Sequence, residues 1–148
     1  MGYTPIVRLE LEHLPGTLVV LKDESAARSE NLKHRFAWYL FMWAVLEGHL
    51  RNGTVVYEAS SGNTAFSELH MALLLHISFT AIIPDSTEPA KVEHIQQAGG
   101  RVIKVPFGEM QSAAREWAER DSNGFFMNQF GNADLAEEFH QSQHSVGK

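Results

Sequence analysis

The sequence predicts an α/β fold: a parallel four-stranded sheet with helices on both faces, preceded by an N-terminal strand pair. Three observations carry this. From residue 54 onward, short β-branched runs alternate with helical patterns and short connections, as βαβ units do. Two of the runs, Thr80-Ala81-Ile82-Ile83 and Val102-Ile103-Lys104-Val105, suit strands buried on both faces. Before residue 54 the pattern differs: residues 5–11 alternate apolar and polar side chains, and Pro15-Gly16 separates them from a second strand at 17–21.

The remaining elements follow in order. Residues 22–31 are a polar connection, and 32–50 read as a helix ended by Asn52-Gly53. A strand at 54–59 leads through a polar glycine turn to a helix at 64–76. A strand at 78–83, closed by Pro84, precedes a helix at 89–98 that Gly99-Gly100 stops. A strand at 101–105, closed by Pro106, precedes a helix at 109–121 and a short strand at 125–127. A last helix at 133–140 is followed by a polar tail. No internal repeat or low-complexity segment is present.

Composition narrows the function. The 148 residues suffice for one domain with a real core, and the formal charge of −6 argues against a nucleic-acid binder, which normally shows a basic face. There is no cysteine, which removes disulfides, thiolate catalysis and cysteine–zinc sites. The longest apolar run, 36–46, has 11 residues, whereas a membrane span needs about 20, so it reads as a buried helix. No signal peptide is read at the N-terminus, and the expected location is cytoplasmic. The eight histidines show no metal spacing; His70 and His76 fall on different helix faces, and His140 and His144 stand four apart near the tail.

Two segments could carry chemistry. In Ser60-Ser61-Gly62-Asn63-Thr64, between a strand and a helix, backbone N–H groups, hydroxyls and the positive end of a helix dipole converge, an arrangement suited to an anion. The plainer reading is an N-cap cluster, since Ser, Asn and Thr cap helices routinely. Five consecutive small polar residues exceed what one cap requires, and Asn128-Gln129 at the end of a later strand could add an amide donor. The second segment is Lys33, at the start of an apolar helix. Taken alone it reads as a solvated surface lysine. Yet a lysine is disfavoured at the positive end of a helix dipole, and partial burial there favours the neutral amine that forms a Schiff base. His34 and Arg35 beside it are of a type that binds phosphate, but the preferred reading is that they face solvent or a neighbouring carboxylate. An anion cradle and a helix-start lysine point to pyridoxal phosphate chemistry on an amino acid.

Several motifs in register resemble one family. Gly2-Tyr3-Thr4-Pro5-Ile6-Val7-Arg8-Leu9 resembles the opening of the cysteine synthase and cystathionine β-synthase family of pyridoxal-phosphate enzymes. Lys22-Asp23-Glu24 with Leu32-Lys33-His34-Arg35 is similar to its lysine segment. Ser60-Ser61-Gly62-Asn63-Thr64 and Met127-Asn128-Gln129-Phe130 resemble its two substrate segments. The Leu-Lys-His-Arg and Glu-Ala-Ser-Ser-Gly-Asn-Thr variants look most like the branch that includes cysteine desulfhydrases. The resemblance implies that Lys33 holds pyridoxal 5'-phosphate and then acts as the base at the substrate α-carbon. It implies that Asn63 binds the cofactor ring hydroxyl, and that Ser60, Ser61, Gly62, Asn63, Thr64 and Gln129 hold the carboxylate of a small amino-acid substrate. The implied chemistry is β-elimination or β-replacement on cysteine or an activated serine.

The chain departs from the family pattern in two ways. Glu30 stands where the family has glycine, a change that bears on the local backbone shape and the approach of the phosphate. Family enzymes are also roughly twice this size, on a two-domain scale, and the resemblance places the glycine-rich phosphate loop and the group facing the pyridine nitrogen in a second half. The expected division is therefore residues 1–25, a strand pair that would join the second domain, and 26–148, the cofactor-lysine domain. Alone, the chain is expected to be a weak enzyme, with the strand pair open to a homodimer or a partner chain. A non-catalytic relative that binds an amino acid or a partner protein is the alternative.

Overall fold

The computed structural model describes residues 3–142. Gly2 of the opening motif and His144 of the tail lie outside the described residues. Strands β1 (Ile6–Glu10) and β2 (Leu18–Lys22) pair antiparallel, with Arg8 opposite Val20. They form a sheet of their own, on which every residue but the half-buried Val19 is exposed. A 3-10 turn, Glu24–Ala26, interrupts the polar connection; Asp23 begins it by accepting the Ser25 amide at 3.1 Å.

Helix α1 (Lys33–Leu46) is shorter than the expected 32–50. Gly48, not Asn52-Gly53, ends it. At φ +77° Gly48 adopts the left-handed conformation that costs glycine little, and the His49 and Leu50 amides fold back onto the Ala44 carbonyl at 2.8 and 3.1 Å. The reversal buries Leu50 and delivers the chain to β3 (Val55–Ala59). Helix α2 (Asn63–Leu74) follows and ends two residues before His76, which is itself left-handed at φ +55°.

Then come β4 (Ser78–Pro84), α3 (Pro89–Gln97), β5 (Arg101–Val105), a 3-10 turn over Phe107–Glu109, α4 (Met110–Arg120), β6 (Gly124–Phe126) and α5 (Ala133–Gln141). The four inner strands are parallel, in the order β5-β4-β3-β6.

Helices cover both faces of this sheet. On one, Val56, Phe79, Ala81 and Ile83 pack with Leu40 and Phe41 of α1, Leu69 and Ala72 of α2, Ile95 of α3 and Ala136 of α5. On the other, Tyr57, Ala59 and Ile82 pack with Ala114 and Ala118 of α4. Alternate residues of β3 thus serve opposite cores, as the strand period of two demands. Gly124 is fixed by contact: a Cβ there would lie 2.2 Å from the Ala118 carbonyl oxygen. Among the described residues no helix is long and apolar enough to cross a membrane.

Candidate functional site

The chain places the start of α1 and the start of α2 at the same end of the sheet. Helix α1 leads into the beginning of β3, and α2 leaves from its carboxyl end, so both helices begin where β3 finishes. Ligands of parallel sheets bind at this edge.

Lys33 is the first residue of α1 and is half-buried. Its backbone N–H donates to the Asn31 carboxamide oxygen at 2.9 Å. The same oxygen accepts the Ser67 hydroxyl at 2.9 Å, and Ser67 lies one turn along α2 from Asn63. The Asn31 amide donates to the Ser29 carbonyl at 2.6 Å, and the Ser29 and Ser67 hydroxyls meet at 2.9 Å. One asparagine therefore fixes the lysine's backbone to both its own loop and the neighbouring helix. The Lys33 ammonium lies 5.6 Å from the Phe36 ring centroid and makes no salt bridge among the described residues.

Glu30, in the loop before Lys33, has φ +56°. The backbone here adopts the left-handed conformation that glycine would take most easily, and it does so with a glutamate.

Arg35 faces a carboxylate: its Nε donates to Glu24 at 2.9 Å, and its Nη2 donates to the Thr4 hydroxyl at 3.0 Å. Thr4 completes the triangle by donating to Glu24 at 2.8 Å. The Arg35 and Thr4 hydrogen bonds hold the Glu24 carboxyl below its ordinary range. His34 corrects its expectation. It faces neither solvent nor a carboxylate; it is buried, with Nδ1 3.0 Å from Ser29 Oγ and its ring 5.5 Å from that of His70. Burial, and then the neighbouring His70, lower its proton affinity.

The turn 60–64 is not a cap cluster. Gly62 precedes α2 with extended backbone, and no side chain caps the helix. The one local bond is weak, from the Gly62 N–H to Ser60 Oγ at 3.4 Å. Ser60 and Ser61 are half-buried, Gly62 and Asn63 exposed, and Thr64 buried. A twelve-residue helix thus presents its first amides without a side-chain partner, beside hydroxyls and a carboxamide.

Asn63 also lines a cleft of about 470 Å³, whose walls include Arg28 to Asn31, Phe66 and His70 of α2 and His94 of α3. Lys33, Ser60, Ser61, Gly62, Thr64 and Gln129 are not part of its walls.

Gln129 lies at the same sheet edge, because the Met127 N–H extends the β3–β6 ladder to the Tyr57 carbonyl at 3.0 Å. Its side chain is buried and directed inward. The backbone N–H donates to Glu58 Oε2 at 3.1 Å and the side-chain amide to Glu58 Oε1 at 3.2 Å. Glu58 and Glu68 are both fully buried, and neither oxygen of Glu68 has a hydrogen-bond partner. Burial pushes Glu58 up to about 7, against the lowering effect of the Gln129 hydrogen bonds. Burial and the Glu58 charge raise Glu68 well above the usual carboxylate range.

Sequence reasoning gave no role to Asn31, Ser67, Glu58 or Glu68. Two signals were present: an acidic residue inside the β-branched strand Val55–Ala59, and another on the buried face of α2 between Ala65 and Ala72.

Comparison with known proteins gives the family. A Caenorhabditis elegans protein described as pyridoxal-phosphate dependent is 42% identical over 143 residues, covering 96% of this chain and 33% of that one. The L-cysteine desulfhydrase Cds1 of Mycobacterium tuberculosis is 39% identical over 116 residues, covering 78% of this chain and 32% of its own length. Among solved structures, O-ureido-L-serine synthase superposes with a TM-score of 0.83 at 28% identity, covering 95% of this chain and 45% of that one. A hydrogen sulfide-producing enzyme from Fusobacterium nucleatum shares the fold, with a TM-score of 0.80 at 23% identity over 95% of this chain and 50% of that one. The chain spans about a third of the length of the first two relatives. The profile of the pyridoxal-phosphate dependent enzyme family matches residues 1–144, and the chain belongs to that family, in the fold type II superfamily that includes cysteine synthases and cysteine desulfhydrases.

Proposed function

We propose that this chain carries the lysine-bearing part of an enzyme that performs β-elimination or β-replacement on cysteine or an activated serine. The observation that carries the reading is the uncapped start of α2 at the sheet edge where Lys33 begins α1. The groups present fit pyridoxal 5'-phosphate: a lysine amine without a salt bridge among the described residues, an exposed asparagine carboxamide, and helix amides without side-chain caps.

When bound, the cofactor supplies an electron sink for charge developing at the substrate α-carbon. The chain supplies the rest. The Lys33 amine is the attachment point and afterwards takes the α-proton. Asn63 donates a hydrogen bond to the ring hydroxyl. Ser60, Ser61 and Thr64, the amides of Gly62 and Asn63, and the Gln129 carboxamide hold the substrate carboxylate through charge-assisted hydrogen bonds. Asn31 keeps Lys33 in place by bonding its backbone to α2.

Binding to this chain alone is weak in this reading, because the described residues that offer donors surround the lysine and the carboxylate rather than a phosphate. Each charge-assisted hydrogen bond withheld from a phosphate is worth about 1.5–3 kcal/mol. The exposed apolar residues of β1 and β2, among them Ile6, Leu9, Leu18 and Val20, then meet a second domain, a second copy or a partner chain.

Borohydride reduction in the presence of pyridoxal phosphate, followed by peptide mapping, tests the central assignment. The label belongs on Lys33 and disappears in Lys33→Ala. A label on another lysine, persisting in that variant, refutes it.

A further inference from the structure

We propose that Glu58 is a positioning residue: its buried carboxylate grips Gln129 through both oxygens and so sets which way the Gln129 carboxamide points at the substrate edge. This deepens the functional reading above and rests on Gln129 being a carboxylate-binding residue.

The geometry is specific. Glu58 Oε2 takes the Gln129 backbone N–H at 3.1 Å, and Oε1 takes the side-chain amide at 3.2 Å. A carboxylate is acceptor-only, so it orients both donors toward itself. With the amide nitrogen drawn to Glu58, one N–H is used and the second remains for another acceptor.

The segment around Gln129 is held at both ends. Asn128 is left-handed at φ +51°, its side-chain oxygen accepts the Gly131 amide at 3.3 Å, and its carbonyl accepts the Asn132 amide at 2.9 Å. Asn132 in turn donates to the Met127 carbonyl at 2.7 Å. With the backbone fixed, carboxamide orientation is the freedom left to Gln129, and Glu58 removes it.

Glu68 completes the arrangement. Once ionised, above about pH 7, Glu58 accepts an N–H donor on each oxygen. Glu68, fully buried with two oxygens that meet no donor, is where the proton of the pair resides.

Glu58→Gln tests the proposal at nearly unchanged volume. A glutamine at 58 offers one acceptor and one donor group. The Gln129 backbone N–H takes the one acceptor, so the Gln129 carboxamide must rotate to give its oxygen to the new donor, and the N–H groups it presents at the substrate edge are re-aimed. Without any ligand, the Gln129 side-chain NH₂ resonances, identified by their loss in Gln129→Ala, are displaced in Glu58→Gln and in the shortened Glu58→Asp. They hold their position in Glu68→Gln. Titration with L-serine then shows affinity reduced at least tenfold in Gln129→Ala, displaced at least threefold from the parent in Glu58→Gln, and unchanged within twofold in Glu68→Gln.

Gln129 resonances that stay in place in both Glu58 variants overturn the proposal. So does an L-serine affinity that changes in Gln129→Ala alone. Displaced resonances with L-serine binding indifferent to Gln129→Ala overturn the substrate role of Gln129 instead. If Glu58→Gln does not fold, Glu58→Asp supplies the same comparison.

Discussion

The Asn31 side-chain oxygen accepts the backbone N–H of Lys33 at 2.9 Å, so the residue two before the lysine holds the first amide of the helix that the lysine opens. The same atom also holds Ser67. Asn31→Ala removes this bond and leaves the Ser67 hydroxyl one partner short. The expected loss is about 1–3 kcal/mol of stability, read from urea denaturation. Asn31→Ser, which retains an acceptor oxygen at this position, recovers part of it. Equal stability of Asn31→Ala and the parent chain would remove this network from the account of the site.

Glu30 offers an opposite prediction. Its φ of +56° carries the cost of a side chain in left-handed backbone, about 1–2 kcal/mol. Glu30→Gly relieves that cost and gives back roughly 0.5–1 kcal/mol through the greater freedom of glycine in the unfolded chain. The net expectation is a gain of between zero and about 1.5 kcal/mol, whereas Glu30→Val destabilises. A thermal melt decides it: a lower midpoint for Glu30→Gly contradicts the argument.

The Glu58–Glu68 pair makes stability depend on pH. Both carboxyls have ordinary values of 4.5, and burial raises both, Glu58 to about 7. Between these values the folded chain binds more protons than the unfolded one, so unfolding free energy falls as pH rises. The contribution is complete below pH 4.5 and is lost as pH rises through about 7, a difference on the order of 3 kcal/mol for Glu58. Urea midpoints at pH 5 and pH 8 measure this. Glu68→Gln narrows the gap between them, and a parent chain equally stable at both pH values would contradict the protonated pair.

Arg35 ties α1 to the segment before β1 through Glu24 and Thr4. The pair is partly exposed, so Arg35→Ala changes global stability by only about 1 kcal/mol or less. Its effect is local: amide hydrogen exchange in β1 and β2 accelerates while that in β3 and β4 stays constant. Uniform acceleration across both sheets would mean that Arg35 supports the whole fold instead.

Much of this protein was determined by its sequence alone. The alternation of strand and helix from residue 54, the parallel four-stranded sheet and the separate N-terminal pair were legible, because period-two and period-3.6 patterns are local and the glycine and proline stops lie beside the elements they end. Where boundaries slipped, the reason was local competition: Gly48 offered a left-handed stop earlier than Asn52-Gly53, and the Ala44 carbonyl took the reversed amides.

The motifs of the candidate site were equally legible, since helix starts and polar turns advertise themselves in sequence. Whether 60–64 served as a cap was not, because capping depends on rotamers rather than residue types; the structure leaves α2 without a side-chain cap. Nor could sequence predict a buried His34, an Asn31 that joins Lys33 to Ser67, or a Gln129 turned inward to Glu58. Glu58 and Gln129 are 71 residues apart, and they meet only because β3 and β6 pair and bring their carboxyl ends to one edge. Local pattern specifies the elements, but contacts between distant side chains exist only after the sheet has assembled, and the orientation of the Gln129 carboxamide belongs to that second class.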